Sequence, residues 1–372
     1  MGKSDLTGPK RKAKVMANKR TGVGIIGCGN IAGHYAGDLK RYSQIDVVGV
    51  TDKDAAVAKA FADEHGFAVI ESSEAMLADD RVELIVNLTP AQVHKDVIAQ
   101  CLRAGKHVFS EKPLAMTAAD ANELVALAED KGLRLGCAPS TALSEAQQTL
   151  WKCVRDGKIG RARLAYADMN HGRIETWHPS PGLFYAAGPV FDIGAYPLVL
   201  LTSIFGPARR VTATGKILLP DRKDIHGKPI AVTAPDFFTA NVEFDDDALA
   251  RLTVNFFVDG LKKQGGMEVH GEAGSVYVES PWMFNAPVQY APFGEEYQDV
   301  SLAGEPFDGV EWGRALVDMV EAMAQDTPHR TSSRHAAHIV EIMCAIHASA
   351  AAGQAIEITS EFDPPAPMDF AR

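Results

Sequence analysis

The sequence predicts an α/β protein in two unlike halves: a doubly wound parallel sheet, then a second α/β domain on an antiparallel or mixed sheet. Three observations carry this reading. From Thr21 to about Cys137, short apolar runs alternate with longer amphipathic segments. A glycine-rich turn follows the first of those runs. Further along, strand-like runs succeed one another without helices between them.

In the first half the strand-like runs are Val23–Ile26, Val47–Val50, Leu84–Leu88, His107–Phe109 and Leu133–Gly136. They are apolar throughout, as suits strands covered on both faces. The intervening segments Ala55–His65, Ala91–Ala104 and Thr117–Lys131 read as helices, so each strand–helix–strand unit is a crossover.

The second half opens with a helix at Glu145–Asp156, stopped by Gly157 and Gly160, and a strand at Ala162–Ala167. A Gly/Pro-rich stretch from Gly172 to Gly188 leads into one continuous helix, Val190–Phe205. Five alternating runs follow: Arg210–Leu218, Phe237–Phe244, Ala248–Phe257, Met267–His270 and Ser275–Val278. Helices at Trp312–Gln325 and Arg334–Ala352 close the domain. The boundaries expected are an extension at 1–20, a first domain at 21–141 and a second at 142–372.

Composition bounds the function. Of 372 residues, 46% are hydrophobic and 23% charged, the balance of a soluble globular enzyme. No apolar run approaches the roughly 20 residues of a membrane span. The net charge of −11 disfavours a nucleic-acid surface. Seven basic residues stand against Asp5 alone in the first twenty, a segment read as an extension without a fold of its own. Cys28, Cys101, Cys137, Cys153 and Cys344 are scattered and odd in number, which suits reduced thiols in the cytoplasm. His335 and His338, three apart with His347 beyond, lack acidic or cysteine neighbours and read as core or surface histidines; no metal is expected.

The glycine-rich turn is Gly27-Cys28-Gly29-Asn30-Ile31-Ala32. Gly27 permits the tight turn and Gly29 a close backbone approach to a pyrophosphate, while the small Ala32 packs helix on strand. The helix opening at Asn30 and Ile31 offers free N–H groups to the phosphates. Asp52 falls 20 residues past Ala32, where a carboxylate accepts from the adenosine ribose hydroxyls. Together these form the Rossmann dinucleotide pattern. Asp52 favours NAD over NADP, though the neighbouring Lys53 could neutralise an extra phosphate. A plainer role for Asp52 is a helix N-cap.

The stretch Ala104 to Leu114, containing Ser110-Glu111-Lys112-Pro113, together with Thr89-Pro90 and His94, resembles the glucose–fructose oxidoreductase/inositol dehydrogenase/rhizopine catabolism (Gfo/Idh/MocA) family. The resemblance runs from about Thr21 to about Ile358. It implies a Rossmann domain, then an α/β domain on a large open mixed sheet that commonly forms homodimers or homotetramers. It implies cofactor contacts from Thr89, Pro90, His94, Glu111 and Lys112, with Lys112 beside both nicotinamide and substrate. A partly desolvated ammonium near a positive nicotinamide would have a lowered pKa, suited to proton exchange near neutrality. Pro113 would fix the backbone there, through a cis bond if need be.

Relatives often carry Asp-x-Gly-x-His where this chain has Asp192-Ile193-Gly194-Ala195-Tyr196. Positions 192 and 196 are four apart, hence on one helical face. Asp192 is the expected orienting acid, and Lys112 and Tyr196 share the expected role of acid/base. The preceding loop offers His171, Arg173, Trp177, His178 and Tyr185 to a sugar ring. The activity expected is hydride transfer between NAD(P) and a secondary alcohol or ketone of a sugar, sugar derivative or cyclitol. Two alternatives stand beside it: glycoside cleavage by transient oxidation with tightly held NAD, and a non-catalytic NAD- or sugar-binding regulator.

Overall fold

The computed structural model describes residues 20–258 and 265–372. The basic extension lies outside the described residues, except for Arg20, which pairs with Asp46 at 3.2 Å.

The first half runs β1 (Thr21–Ile26), α1 (Ala32–Leu39), β2 (Ile45–Thr51), α2 (Ala55–His65), α3 (Ser73–Ala78), β3 (Leu84–Asn87), α4 (His94–Arg103), β4 (His107–Ser110), α5 (Ala118–Asp130) and β5 (Leu135–Cys137). Its five strands are ordered β2-β1-β3-β4-β5 and pair in parallel throughout. Residue 133 was expected to open β5, but its N–H still bonds the Ala128 carbonyl at 2.9 Å as α5 closes. The strand therefore starts at Leu135. The helix expected from Ala91 begins with a tight 3-10 turn, and α4 proper starts at His94.

The second half continues with α6 (Glu145–Arg155), β6 (Ala162–Asn170), α7 (Gly182–Ala187), α8 (Pro189–Ile193), α9 (Ala195–Phe205), β7 (Ala208–Lys216), β8 (Arg222–Lys223), β9 (Pro229–Ile230), β10 (Phe237–Phe244), β11 (Leu249–Asn255), β12 (Gly266–Gly271), β13 (Gly274–Val278), β14 (Val288–Pro292), β15 (Gln298–Val300), α10 (Arg314–Gln325), α11 (Ser333–Ala352) and β16 (Ile356–Glu357). Nine strands form a mixed sheet ordered β15-β14-β13-β12-β6-β11-β10-β7-β16, in which β6 and β11 run parallel. β8 and β9 make a small separate hairpin.

One continuous helix was expected over Val190–Phe205; two are found, α8 and α9, meeting at Gly194. Pro197 has no N–H to offer the Ile193 carbonyl, so the helical ladder loses a rung there. Gly194 keeps helical angles (φ −63°, ψ −28°), so the chain continues forward and 192 and 196 stay within reach of one target.

The last two helices knit the halves together. α10 buries Ala315, Leu316, Met319 and Val320 in one apolar cluster with Val23, Ile25 and Tyr35 of the first half. α11 packs on both α5 and β7, and so spans the two sheets. Its histidines are core residues: the His335 Nε2 lies 2.7 Å from the Thr202 hydroxyl, and the His338 Nε2 accepts from the Ala208 N–H at 2.9 Å. All five cysteines are free thiols. Among the described residues no helix is long and apolar enough to cross a membrane.

Candidate active site

The site lies where the carboxyl ends of the first sheet's strands face α8 and α9. Gly27 turns the chain out of β1 at φ +99°, and a Cβ there would sit 2.7 Å from the Leu88 backbone. Only glycine fits. At Gly29 a Cβ would meet nothing within 4 Å, so the ledge beside the α1 N-terminus is open on its outer side. Asn30 is exposed and Ile31 half-buried, and among the described residues no side chain caps α1. That leaves free N–H donors facing an open ledge, the arrangement a pyrophosphate requires.

Asp52 stands at the end of β2 and leans into this turn. Its Oδ2 accepts the Cys28 N–H at 2.9 Å and its Oδ1 the Asp54 N–H at 3.0 Å. The N-cap of α2 is Asp54, which accepts from Ala56 N–H, so Asp52 does not cap that helix. Lys53 is exposed beside it. Burial, reinforced by the Asp52 charge, pushes the Cys28 thiol up to about 12, which leaves it an inert filler under the loop.

After β3, the Asn87 Oδ1 accepts the Thr89 hydroxyl at 2.7 Å, and its Nδ2 donates to Ser110 at 3.0 Å. Pro90 is exposed at the rim. His94, expected to touch the cofactor, is 1% exposed. Its Nδ1 lies 2.7 Å from the Pro113 carbonyl and its Nε2 2.8 Å from that of Thr89. Neither nitrogen is left for a dinucleotide; the ring ties two loops together. Glu111 is likewise engaged on both oxygens, accepting from the Tyr35 hydroxyl at 2.7 Å and from the Lys112 N–H at 3.1 Å.

Lys112 precedes a cis peptide bond to Pro113. Its Nζ donates to the Asp192 Oδ1 at 3.0 Å and to the Asp192 carbonyl at 2.6 Å, and lies 5.2 Å from the centroid of the Tyr196 ring. The expected trio thus converges, across the break between α8 and α9. Burial alone would push the ammonium down, but Asp192 above all, with Tyr196 and Glu111, reverses this and holds it above lysine's ordinary value. The lowered pKa was expected beside a positive nicotinamide ring; the protein's own groups by themselves set the opposite direction, because the facing carboxylates outweigh burial. Burial likewise raises the Tyr196 phenol, with Lys112 opposing. The Asp192 Oδ2 is buried and has no hydrogen-bond partner among the described residues.

The Gly/Pro-rich loop divides. His171 and Trp177 meet at a ring distance of 5.5 Å, and His171 meets Trp282 at 5.4 Å. His171 is pulled below histidine's ordinary value by burial, with Asp192 opposing and Lys112 adding to the effect. His178 is half-buried and shifts down for the same first reason. Arg173 is exposed, its guanidinium 5.5 Å from the Phe257 ring. Tyr185 turns away from the site. Fully buried, it donates to Glu175 in a network where Arg222 reaches Glu175 at 2.7 Å and Asp236 at 2.6 Å. Its phenol pins the loop from below.

Two site residues escaped the sequence reading. Tyr35 carries a signal in hindsight: Ala32, Tyr35, Ala36, Asp38 and Leu39 are the buried residues of α1, and only Tyr35 brings a hydroxyl among them. Trp282 carries none, since it reaches Tyr196 (5.8 Å between rings) from the distant loop between β13 and β14.

Two family models match this architecture: an oxidoreductase family with an NAD-binding Rossmann fold over residues 21–138, and the GFO/IDH/MocA C-terminal domain over residues 147–277. The chain belongs to the GFO/IDH/MocA oxidoreductase family. Among its relatives, a dTDP-3,4-didehydro-2,6-dideoxy-α-D-glucose 3-reductase of Streptomyces antibioticus is 30% identical, over 62% of this chain and 70% of that protein. A 1,5-anhydro-D-fructose reductase of Ensifer adhaerens is 28% identical, over 68% and 74% respectively. A levoglucosan dehydrogenase solved with NADH and levoglucosan superposes with a TM-score of 0.81 at 20% identity, covering 91% of this chain and 100% of that one. At that identity the superposition speaks for the fold.

Proposed function

We propose that this GFO/IDH/MocA protein oxidises a secondary carbinol of a sugar, sugar derivative or cyclitol, or reduces the matching ketone, with NAD as its cofactor. The observation carrying this reading is the buried Asp192 Oδ2, which lacks a donor among the described residues while its twin oxygen holds Lys112. A buried carboxylate oxygen without a donor carries a desolvation cost of about 1–3 kcal/mol. A substrate hydroxyl would supply the missing hydrogen bond and bring its own oxygen within reach of the Lys112 Nζ.

The open ledge at Gly29, the uncapped α1 and the acid at the end of β2 fit a dinucleotide, whose nicotinamide supplies the redox chemistry when bound. Asp52 would accept from the ribose hydroxyls and would repel a 2′-phosphate, which favours NAD over NADP. The protein's own part is orientation and proton handling. Asp192 holds Lys112 in place, and Lys112 and Tyr196 flank the carbinol oxygen, either able to take or return its proton once the cofactor's positive ring lowers their affinity for it.

The test is NADH formation over a panel of sugars, inositols and their glycosides. Turnover is expected with at least one polyol and is expected to be lost in Asp192→Asn. Silence across the panel, or glycoside cleavage with no net NADH, overturns the reading. The cofactor preference is checked separately: kcat/KM for NAD should exceed that for NADP, and Asp52→Ser should narrow the ratio.

A further inference from the structure

Beyond the Lys112–Asp192 pair, the rings on this side of the site form a continuous series. Tyr196 meets Trp282 at 5.8 Å, Trp282 meets His171 at 5.4 Å, and His171 meets Trp177 at 5.5 Å. Successive interplanar angles are 79°, 73° and 70°, so each ring is held edge-to-face by its neighbour and its plane is fixed. Exposure grows along the series: Tyr196 is 4% exposed, His171 and Trp282 are half-buried, and Trp177 is 48% exposed. The three outer rings come from separate places in the chain: the end of β6, the loop after it, and the loop between β13 and β14. Core packing does not call for a large indole left half in water at the end of such a series.

The inner end of the series is polar and the outer end apolar. At the inner end, the Asp192 Oδ2 offers an acceptor for a hydroxyl. At the outer end, fixed aromatic rings offer apolar surface of the kind that covers a flat ring.

We propose that Trp282, His171 and Trp177 form an outer subsite for a second, apolar-faced ring joined to the hydroxylated ring, as in an aryl glycoside. This subsite presupposes the carbinol position assigned above, because it is the hydroxylated ring at Asp192 that delivers the second ring to the aromatic series. A substrate of this class spans both ends; a free monosaccharide fills only the inner one.

The probes are phenyl β-D-glucopyranoside and methyl β-D-glucopyranoside, titrated into the NAD-loaded protein by calorimetry. The phenyl compound is expected to bind about tenfold more tightly, equivalent to ~1.4 kcal/mol. In Trp177→Ala the two affinities should converge, and in Trp177→Phe the preference should persist. Because Trp177 is half in water, both variants should keep the wild-type melting temperature and NAD affinity, which separates a lost subsite from a misfolded chain. Equal affinities in the wild type, no binding of either glycoside, or a phenyl preference that survives Trp177→Ala would each overturn the subsite. A phenyl preference that vanishes in Trp177→Ala, in a protein that forms no NADH from any polyol, would support the subsite while overturning the redox reading.

Discussion

At the residue scale the proposed chemistry rests on one ammonium among carboxylates. Lys112 is pulled toward its charged form by Asp192 and Glu111, and Glu111 is held by the Tyr35 hydroxyl at 2.7 Å. Tyr35 belongs to α1, the helix that opens on the ledge at Gly29, so the two halves of the proposed reaction site share a strut. Removing its hydroxyl in Tyr35→Phe leaves a buried carboxylate half-satisfied, at a cost of about 1–3 kcal/mol in stability. It also frees that carboxylate to turn away from Lys112. With that anion farther off, the Lys112 pKa falls, and the limb of the kcat/KM profile that reports Lys112 should move to lower pH. A lower melting temperature with an unmoved pH profile would mean Tyr35 only packs. Lys112→Met should lower kcat by about 10²–10⁴-fold at saturating NAD, as for loss of a general acid or base, read from the rate of NADH formation.

At the element scale, α11 links charge to folding. Burial pushes His335 down to about 3 and His338 and His347 to about 4, from an ordinary value of 6.5. A folded pKa below the unfolded one means that protonation favours the unfolded chain. The neutral rings therefore contribute their full stability above about pH 6.5, and that contribution is lost as the pH falls from there toward 4. Urea midpoints should be flat above pH 6.5 and drop below it, and His335→Gln should flatten the drop. The broken α8–α9 helix marks a limit of periodicity. Spacing alone put Asp192 and Tyr196 on one face, and the residues do converge on Lys112, but the helix divides at Gly194 between them.

At the scale of the whole molecule, α10 is distant in sequence from the first sheet yet packs in its cluster, and α11 bridges both sheets. Unfolding should therefore be a single transition. Leu316→Ala, which opens a hole in that cluster, should lower its midpoint by the equivalent of about 2–5 kcal/mol. Near-UV and far-UV circular dichroism should move together; two separated steps, with only the first shifted, would show that the halves melt independently.

Local patterns in the chain were enough for the parallel sheet, most helices and the Gly27 turn, because strand and helix periods and the steric demand for glycine are properties of short segments. The convergence of Lys112, Asp192 and Tyr196 was legible through the motifs that hold them. Three features needed tertiary structure. The direction of the Lys112 pKa depends on carboxylates placed around it by separate elements. The engagement of His94 and Glu111 with their neighbours, instead of with open space, depends on which loops close over them. Trp282 joins the site from a loop 86 residues beyond Tyr196 in sequence. Electrostatics and ring packing act through space, and no periodicity along the chain encodes which distant side chains will share that space.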